Sequence, residues 1–118
     1  MTTTDDDAPQ TRSLQKGSAE LLVLSMLEGR DRHGYEIAQR IEALSDGRLS
    51  FQAATLYPLL YKLEQRGLVA GRWVEKPSER RRRFYRLTPD GRRALGLQRR
   101  AWRDFFDAVQ RVGQLDRG

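Results

Sequence analysis

Apolar residues recur at the three- and four-residue spacing of a helical face in three short blocks and one long one. In the first block Leu21, Leu24 and Leu27 form a stripe with Leu22 and Met26 beside it. This predicts a helix from about Ser18, a suitable N-cap, with Glu20 in its first turn, to about Glu28 before Gly29. In the second, Tyr35, Ile37, Ala38, Ile41 and Leu44 carry the inner face of a helix over Gly34–Leu44, stopped by Ser45-Asp46-Gly47. In the third, Leu56, Leu59, Leu60 and Leu63 predict a helix from about Ala53 to Arg66, with Gly67 as its end. Pro58 must then lie in or just after the first turn. The outer face of this third helix is oddly aromatic and basic. It carries Ala54, Pro58, Tyr61, Lys62 and Gln65, flanked by Thr55 and Tyr57.

The pattern then changes period. Leu68–Glu75 and Arg82–Leu87 read as two strands, with Lys76-Pro-Ser-Glu-Arg-Arg81 as the turn. Thr88-Pro89-Asp90 is a helix start: a cap, a proline at the first position, then an acid. That helix can run to about Val112, some 24 residues or about 36 Å. Leu95, Gln98, Trp102, Phe105, Val109 and Val112 follow a 3-4-3-4-3 spacing along it. Such a seam belongs between helices, and a winged domain of about 70 residues is too small to cover it. The expected fold is mainly α: a winged helix-turn-helix with a two-stranded wing and a long C-terminal dimerisation helix. The expected divisions are a polar, disordered arm over 1–16, the winged domain over 17–88, the dimerisation helix over 89–113 and a tail over 114–118.

Charge sharpens this picture. The chain carries a net +6, and residues 72–93 alone hold nine basic groups against three acids, an excess equal to the total. A basic run, Arg80 to Arg83, at one loop tip points to a polyanionic partner more than a uniformly basic surface would. Cysteine is absent and there is one histidine, so thiolate metal sites and disulfides are excluded and no metal site is expected. No apolar run approaches the ~20 residues of a membrane span. The N-terminus lacks the blocks of a signal peptide, so the cytoplasm is the expected location. No nucleophile motif, phosphate-binding glycine loop or carboxylate pair in an apolar setting is present, and neither enzyme activity nor a cofactor is expected.

The candidate DNA contacts are therefore His33, Tyr35, Ala54, Thr55, Tyr57, Tyr61, Lys62 and Arg80 to Arg83. Thr55 and Tyr57, near the helix start, could reach base edges or phosphate, and Lys62 phosphate. Tyr57 has a second reading as packing on the preceding helix. His33 reads either as a phosphate contact or as packing at the helix entry. Tyr35 is expected half in the core, with its hydroxyl near the DNA backbone. Alternation along the strand predicts that Arg81 and Arg83 face differently from Arg82. For Trp102, Phe105 and Phe106 two readings stand: dimer core, or a slot between subunits where a flat molecule stacks.

The sequence resembles the PadR family of bacterial transcription regulators in its short form. The resemblance is carried by His33-Gly-Tyr-Glu-Ile37, Ala54-Thr-Leu-Tyr-Pro-Leu-Leu-Tyr-Lys-Leu-Glu64, Arg66-Gly-Leu-Val69, Trp73, and Arg82-Arg-Phe-Tyr-Arg-Leu-Thr88 with Gly91. It runs from about Leu14 to Gly113. It implies a winged-helix fold, a dimer through the C-terminal helix, repression of a nearby promoter and, in some members, release by small aromatic or hydrophobic molecules. Trp102 matches a position that lines a ligand pore in some of those members. Two positions depart from the family pattern: Ala54 and Arg80 stand where glycine is common.

Two functions follow as expectations. In the first, a homodimeric repressor places its third helices in successive major grooves of a palindromic operator, about 34 Å apart. In the second, a winged-helix adaptor uses Tyr57 and Tyr61 to anchor a protein partner. Four adjacent arginines favour the first.

Overall fold

A computed structural model describes the backbone of residues 3–77 and 79–115 and the side chains of residues 14–77 and 80–115. Four helices and a small antiparallel sheet follow one another as α1 (Thr3–Met26), β1 (Arg32–His33), α2 (Gly34–Leu44), α3 (Ala53–Gln65), β2 (Val69–Lys76), β3 (Glu79–Leu87) and α4 (Pro89–Gly113). The strand order is β1-β3-β2. Hence the wing hairpin β2–β3 gains a third strand, two residues long, that the sequence pattern did not predict. Arg32 and His33 pair with Tyr85 and Phe84. A two-residue strand has no period to read, and only its tertiary pairing defines it.

One core joins all the helices to the sheet. Val23 and Leu24 of α1, with Leu27 just after its end, meet Ile37 and Ile41 of α2 and Leu56, Leu60 and Leu63 of α3, closed off by Tyr85 and Leu87 of β3. Leu21 lies at the edge of the α1 stripe, only partly buried. Phe51 and Leu56 occupy the positions just before the cap and one turn into α3, and both are buried, as in a hydrophobic staple that sets the entry of a helix. Leu44 departs from expectation. It lies on the α2 stripe by spacing, yet it is 63% exposed, because it is the last helical residue and the stripe there has passed the end of the core.

The start of α1 also differs. Residues 3–16 were expected to be disordered, and from Thr3 they are helical; Met1 and Thr2 lie outside the described residues. Ser18 is not a cap. Its hydroxyl donates back to the carbonyls of Leu14 and Gln15, as a serine inside a helix does. Gln15 explains why order extends past Ser18. Its carboxamide donates to the Ser50 carbonyl (2.7 Å) and accepts from the Ser50 amide (2.9 Å), tying α1 to the loop before α3. At the other end Gln114 caps α4 in the left-handed region (φ 55°), and residues 116–118 of the expected tail lie outside the described residues.

The base of α4 is docked tightly. The Thr88 hydroxyl accepts from the Gly91 amide (2.9 Å) and donates to the Gly67 carbonyl (2.6 Å), while the Thr88 amide donates to Leu68 O (3.1 Å). Further along, Gln98 donates to Glu20 (2.5 Å) and Arg99 grips Glu28 of the segment after α1 with both terminal nitrogens. That contact holds the Glu28 carboxyl below its usual range. Past Arg99 no hydrogen bond or ion pair ties α4 to the body among the described residues. Among those residues, too, no helix is long and apolar enough to cross a membrane.

Candidate nucleic-acid interface

The start of α3 is built unlike those of α2 and α4. His33 and Thr88 cap α2 and α4 with side-chain acceptors, and Glu36 and Asp90 add acids in their first turns. Gln52 gives α3 no side-chain cap, and its first turn holds no acid. The positive end of the α3 dipole is therefore unneutralised and faces solvent, which favours an anion there. Ala54, Thr55, Pro58, Tyr61 and Lys62 are all exposed around it. Pro58 is the sixth helical residue, so the Ala54 carbonyl lacks its ladder partner on this same outer face. Tyr61 accepts from Gln65 Nε2 at 3.0 Å, which orders its phenol along the helix.

Tyr57 combines both of its readings. Its ring lies over Gly34, where an added Cβ would sit 2.6 Å from the phenol oxygen, yet 43% of the residue remains exposed. Gly34 is the first residue of α2, and the lack of a side chain there lets α3 press its aromatic against that start. Next to it, His33 Nδ1 accepts from the Glu36 amide (3.2 Å). The neutral ring then carries its proton on Nε2, which faces Arg82 Nη1 at 2.8 Å donor to donor. Two donors face to face do not hold one another, so His33 does not engage the Arg82 charge. Burial first, and then the Arg82 charge, lower the His33 pKa, while Glu36 opposes them, which favours the neutral ring that accepts from Glu36 at Nδ1. His33 also stacks parallel to Tyr35 (6.5 Å, 9°) and meets Phe84 edge-on (5.2 Å). Tyr35 itself is 62% exposed, not half in the core, because it follows Gly34 on the outward side of α2.

The wing arginines alternate. Arg81 and Arg83 lie over Trp73, at 4.4 and 5.5 Å from its ring, on the side facing α3, whereas Arg82 turns to His33. Arg83 differs from its neighbours and corrects one expectation. It is partly buried, paired with Glu64 of α3 at 2.6 Å and set near the Tyr85 ring, so its charge is already engaged within the fold. Arg80, Arg81 and Arg82 are exposed. Between α3, the start of α2 and the wing lies an open cleft of about 440 Å³, lined by His33, Gly34, Tyr35, Tyr57, Trp73 and Arg80 to Arg83. The fold thus gathers most of the candidates on one face. Other acids near it are neutralised by pairing: Glu36 with Arg32 (2.7 Å) and Asp31 with Arg72 (3.2 Å).

Two residues of this face were not among the sequence-level candidates. Trp73 was placed in the wing sheet without a role, yet it is 52% exposed at the cleft and carries two guanidinium groups. Glu64 follows Leu60 by one turn, where the stripe calls for an apolar residue. A partly buried acid at such a place needs a basic partner, and that was the available signal.

The expected seam on α4 divides in two. Leu95 is 2% exposed and belongs to the core of its own chain, so it offers no surface to a partner; it was expected at a dimer interface. Gln98 is taken by Glu20. Beyond them Trp102 packs against Phe105 (5.8 Å, edge-on) and Phe106 (6.1 Å), with Val109 half-buried and Phe105, Phe106 and Val112 exposed. A recess of about 300 Å³ lies at Ala101, Trp102 and Phe105.

Three helices, a hairpin with a basic edge and an exposed, uncapped second helix of the helix-turn-helix define the winged-helix class. The family model for the "Transcriptional regulator PadR-like family" matches residues 23–97, and the chain belongs to that family. Its members are transcriptional regulators, and this chain is not an enzyme. Among curated proteins it is 36% identical over 90 residues to the transcriptional regulator Rv3488 of Mycobacterium tuberculosis, covering 76% of this chain and 80% of that one. A PadR family transcriptional regulator from Eggerthella lenta superposes with a TM-score of 0.79 at 31% identity, covering 95% of this chain and 96% of that one. The Bacillus subtilis PadR solved in complex with operator DNA superposes with a TM-score of 0.61 at 23% identity, covering 66% of this chain and 44% of that one, a likeness of fold.

Proposed function

We propose that this chain is a homodimeric, sequence-specific DNA-binding repressor that works in the cytoplasm. The carrying observation is the face built by the uncapped start of α3 and the cleft beside the wing. Helix dipole, exposed tyrosines and three exposed guanidinium groups converge there on one polyanion-sized groove. Thr55, Tyr57 and Tyr61 read base edges, Lys62 and the wing residues Arg80 to Arg82 hold phosphates, and His33 and Tyr35 flank the backbone. The Bacillus protein of the same fold, solved in complex with operator DNA, supports DNA as the partner.

The second half of α4 supports the dimer. It projects with Phe105, Phe106 and Val112 exposed, an apolar face that a second copy would cover. Across such an interface Trp102 and its mate, with Phe105 and Phe106, form a slot for a flat hydrophobic effector whose binding would tilt the two heads.

Selection of bound duplexes from a random library tests the reading. Enrichment of a palindrome whose half-sites lie about one helical turn apart is the expected result. Recovery of no sequence preference, with retention instead by a protein partner through Tyr57 and Tyr61, would favour an adaptor.

A further inference from the structure

The inward face of the wing carries a ladder of side chains that begins on α3. One oxygen of Glu64 accepts from Arg83 Nη2 at 2.6 Å and from the Gly71 amide at 3.3 Å, so it touches both wing strands at once. Arg83 lies over its cross-strand partner Trp73, and Arg81 lies 4.4 Å from the same ring. Gly71 makes room for the crossing, since a Cβ there would come within 2.7 Å of Arg83 Nε. The pair is largely shielded, with side-chain exposures of 28% for Arg83 and 31% for Glu64, so salt screens it less than an open surface pair. Arg81, at the far end of the ladder, is exposed.

We propose that Glu64 is a positioning residue for DNA binding: through Arg83 and Trp73 it fixes the wing against α3 and sets where Arg81 meets phosphate. This rests on the DNA-binding reading above. Glu64 is a negative charge at the rim of a polyanion-binding face, so direct electrostatics opposes it. The two effects therefore have opposite signs. As a plain charge change, its removal raises the net charge by one and tightens binding. As a loss of positioning, its removal lets the wing swing and weakens binding.

The experiment titrates a labelled mixed-sequence duplex, about three helical turns long, with the full chain over a range of salt. It compares the wild type with Glu64→Gln, Glu64→Ala, Arg83→Ala and the Glu64→Ala/Arg83→Ala double variant, with urea midpoints to confirm folding. Glu64→Ala is expected to bind about fivefold more weakly, the size of coupling found within one side-chain network, with a shallower salt slope. Glu64→Gln, which keeps an acceptor for Gly71 and Arg83, should lose less and guards against misfolding of the alanine variant. In the Arg83→Ala background the Glu64 change should add no further loss. Unchanged or tighter binding by Glu64→Gln and Glu64→Ala, or a full additional loss in the Arg83→Ala background, overturns the proposal and leaves the DNA reading intact. A wild-type chain that leaves the duplex unbound at low salt overturns the DNA reading itself, and this inference with it.

Discussion

Gly91→Ala is expected to destabilise the fold by about 3 kcal/mol, the upper end of the cost of overpacking, although alanine is the better helix former. Gly91 is the third residue of α4 and buried, and a Cβ on it would overlap the Leu68 carbonyl oxygen and crowd Leu87. The obstruction is backbone, not the tip of a side chain, so it has little freedom to yield. Leu68 O is moreover engaged by the Thr88 amide, and Thr88 is fastened to Gly67, so the whole base of α4 would have to shift. Gly96 is the control. It lies in the same helix with nothing within 4 Å of its notional Cβ. Gly96→Ala should stabilise by about 0.5–1 kcal/mol through the lower entropy of the unfolded chain. Urea unfolding of the two variants therefore gives midpoints on opposite sides of the wild type. A Gly91→Ala midpoint equal to or above that of the wild type would show that α4 is not docked on the 67–68 turn.

Replacing Phe105 and Val109 together with glutamate is expected to yield monomers and to weaken operator binding by roughly 10²-fold or more. Phe105 is exposed and Val109 half-buried on a stretch of α4 that no hydrogen bond or ion pair ties to the body among the described residues, and neither belongs to the buried core, so the substitutions place charge on an apolar face. The loss is large because two linked heads bind with an effective local concentration that a single head lacks. Each separate head should keep its weak, salt-sensitive affinity for any duplex. Sedimentation and binding titrations on the same samples check both parts. A double variant that still sediments as a dimer removes this half of α4 from the interface, and one that is monomeric yet binds the operator as the wild type does removes dimerisation from recognition.

Much of the fold is legible from local signals. The bounds of α2 coincide with the expected Gly34–Leu44, and the α4 start follows Thr88-Pro89 as read, because each is punctuated by residues that act locally: a cap, a fixed φ, a glycine turn. What escaped the sequence is set by distant partners. Residue type alone does not distinguish a capping Ser18 from an interior one; Gln15 reaching Ser50 decides it. Leu95 and Trp102 share one spacing, but only the docking of α4 on α1 tells which is core and which is left half-buried. In the candidate site, the outer face of α3 was visible as polar and aromatic positions opposite a leucine stripe. The division of the wing arginines was not. Arg83 looks like its neighbours in sequence, and only the register that sets it across from Trp73 and beside Glu64 separates its paired guanidinium from the exposed ones.

The most direct test of DNA binding by this face compares two paired variants on a selected operator and on an unrelated duplex over a range of salt. Arg81→Ala/Arg82→Ala should weaken binding to both duplexes alike and reduce the salt slope by about two, because each arginine neutralises one phosphate. Thr55→Ala/Tyr57→Ala should leave the unrelated duplex and the slope nearly unchanged while costing about 1–3 kcal/mol on the operator for each base that the side chain reads. Equal binding of both variants and the wild type to both duplexes would contradict the assignment of this face to DNA.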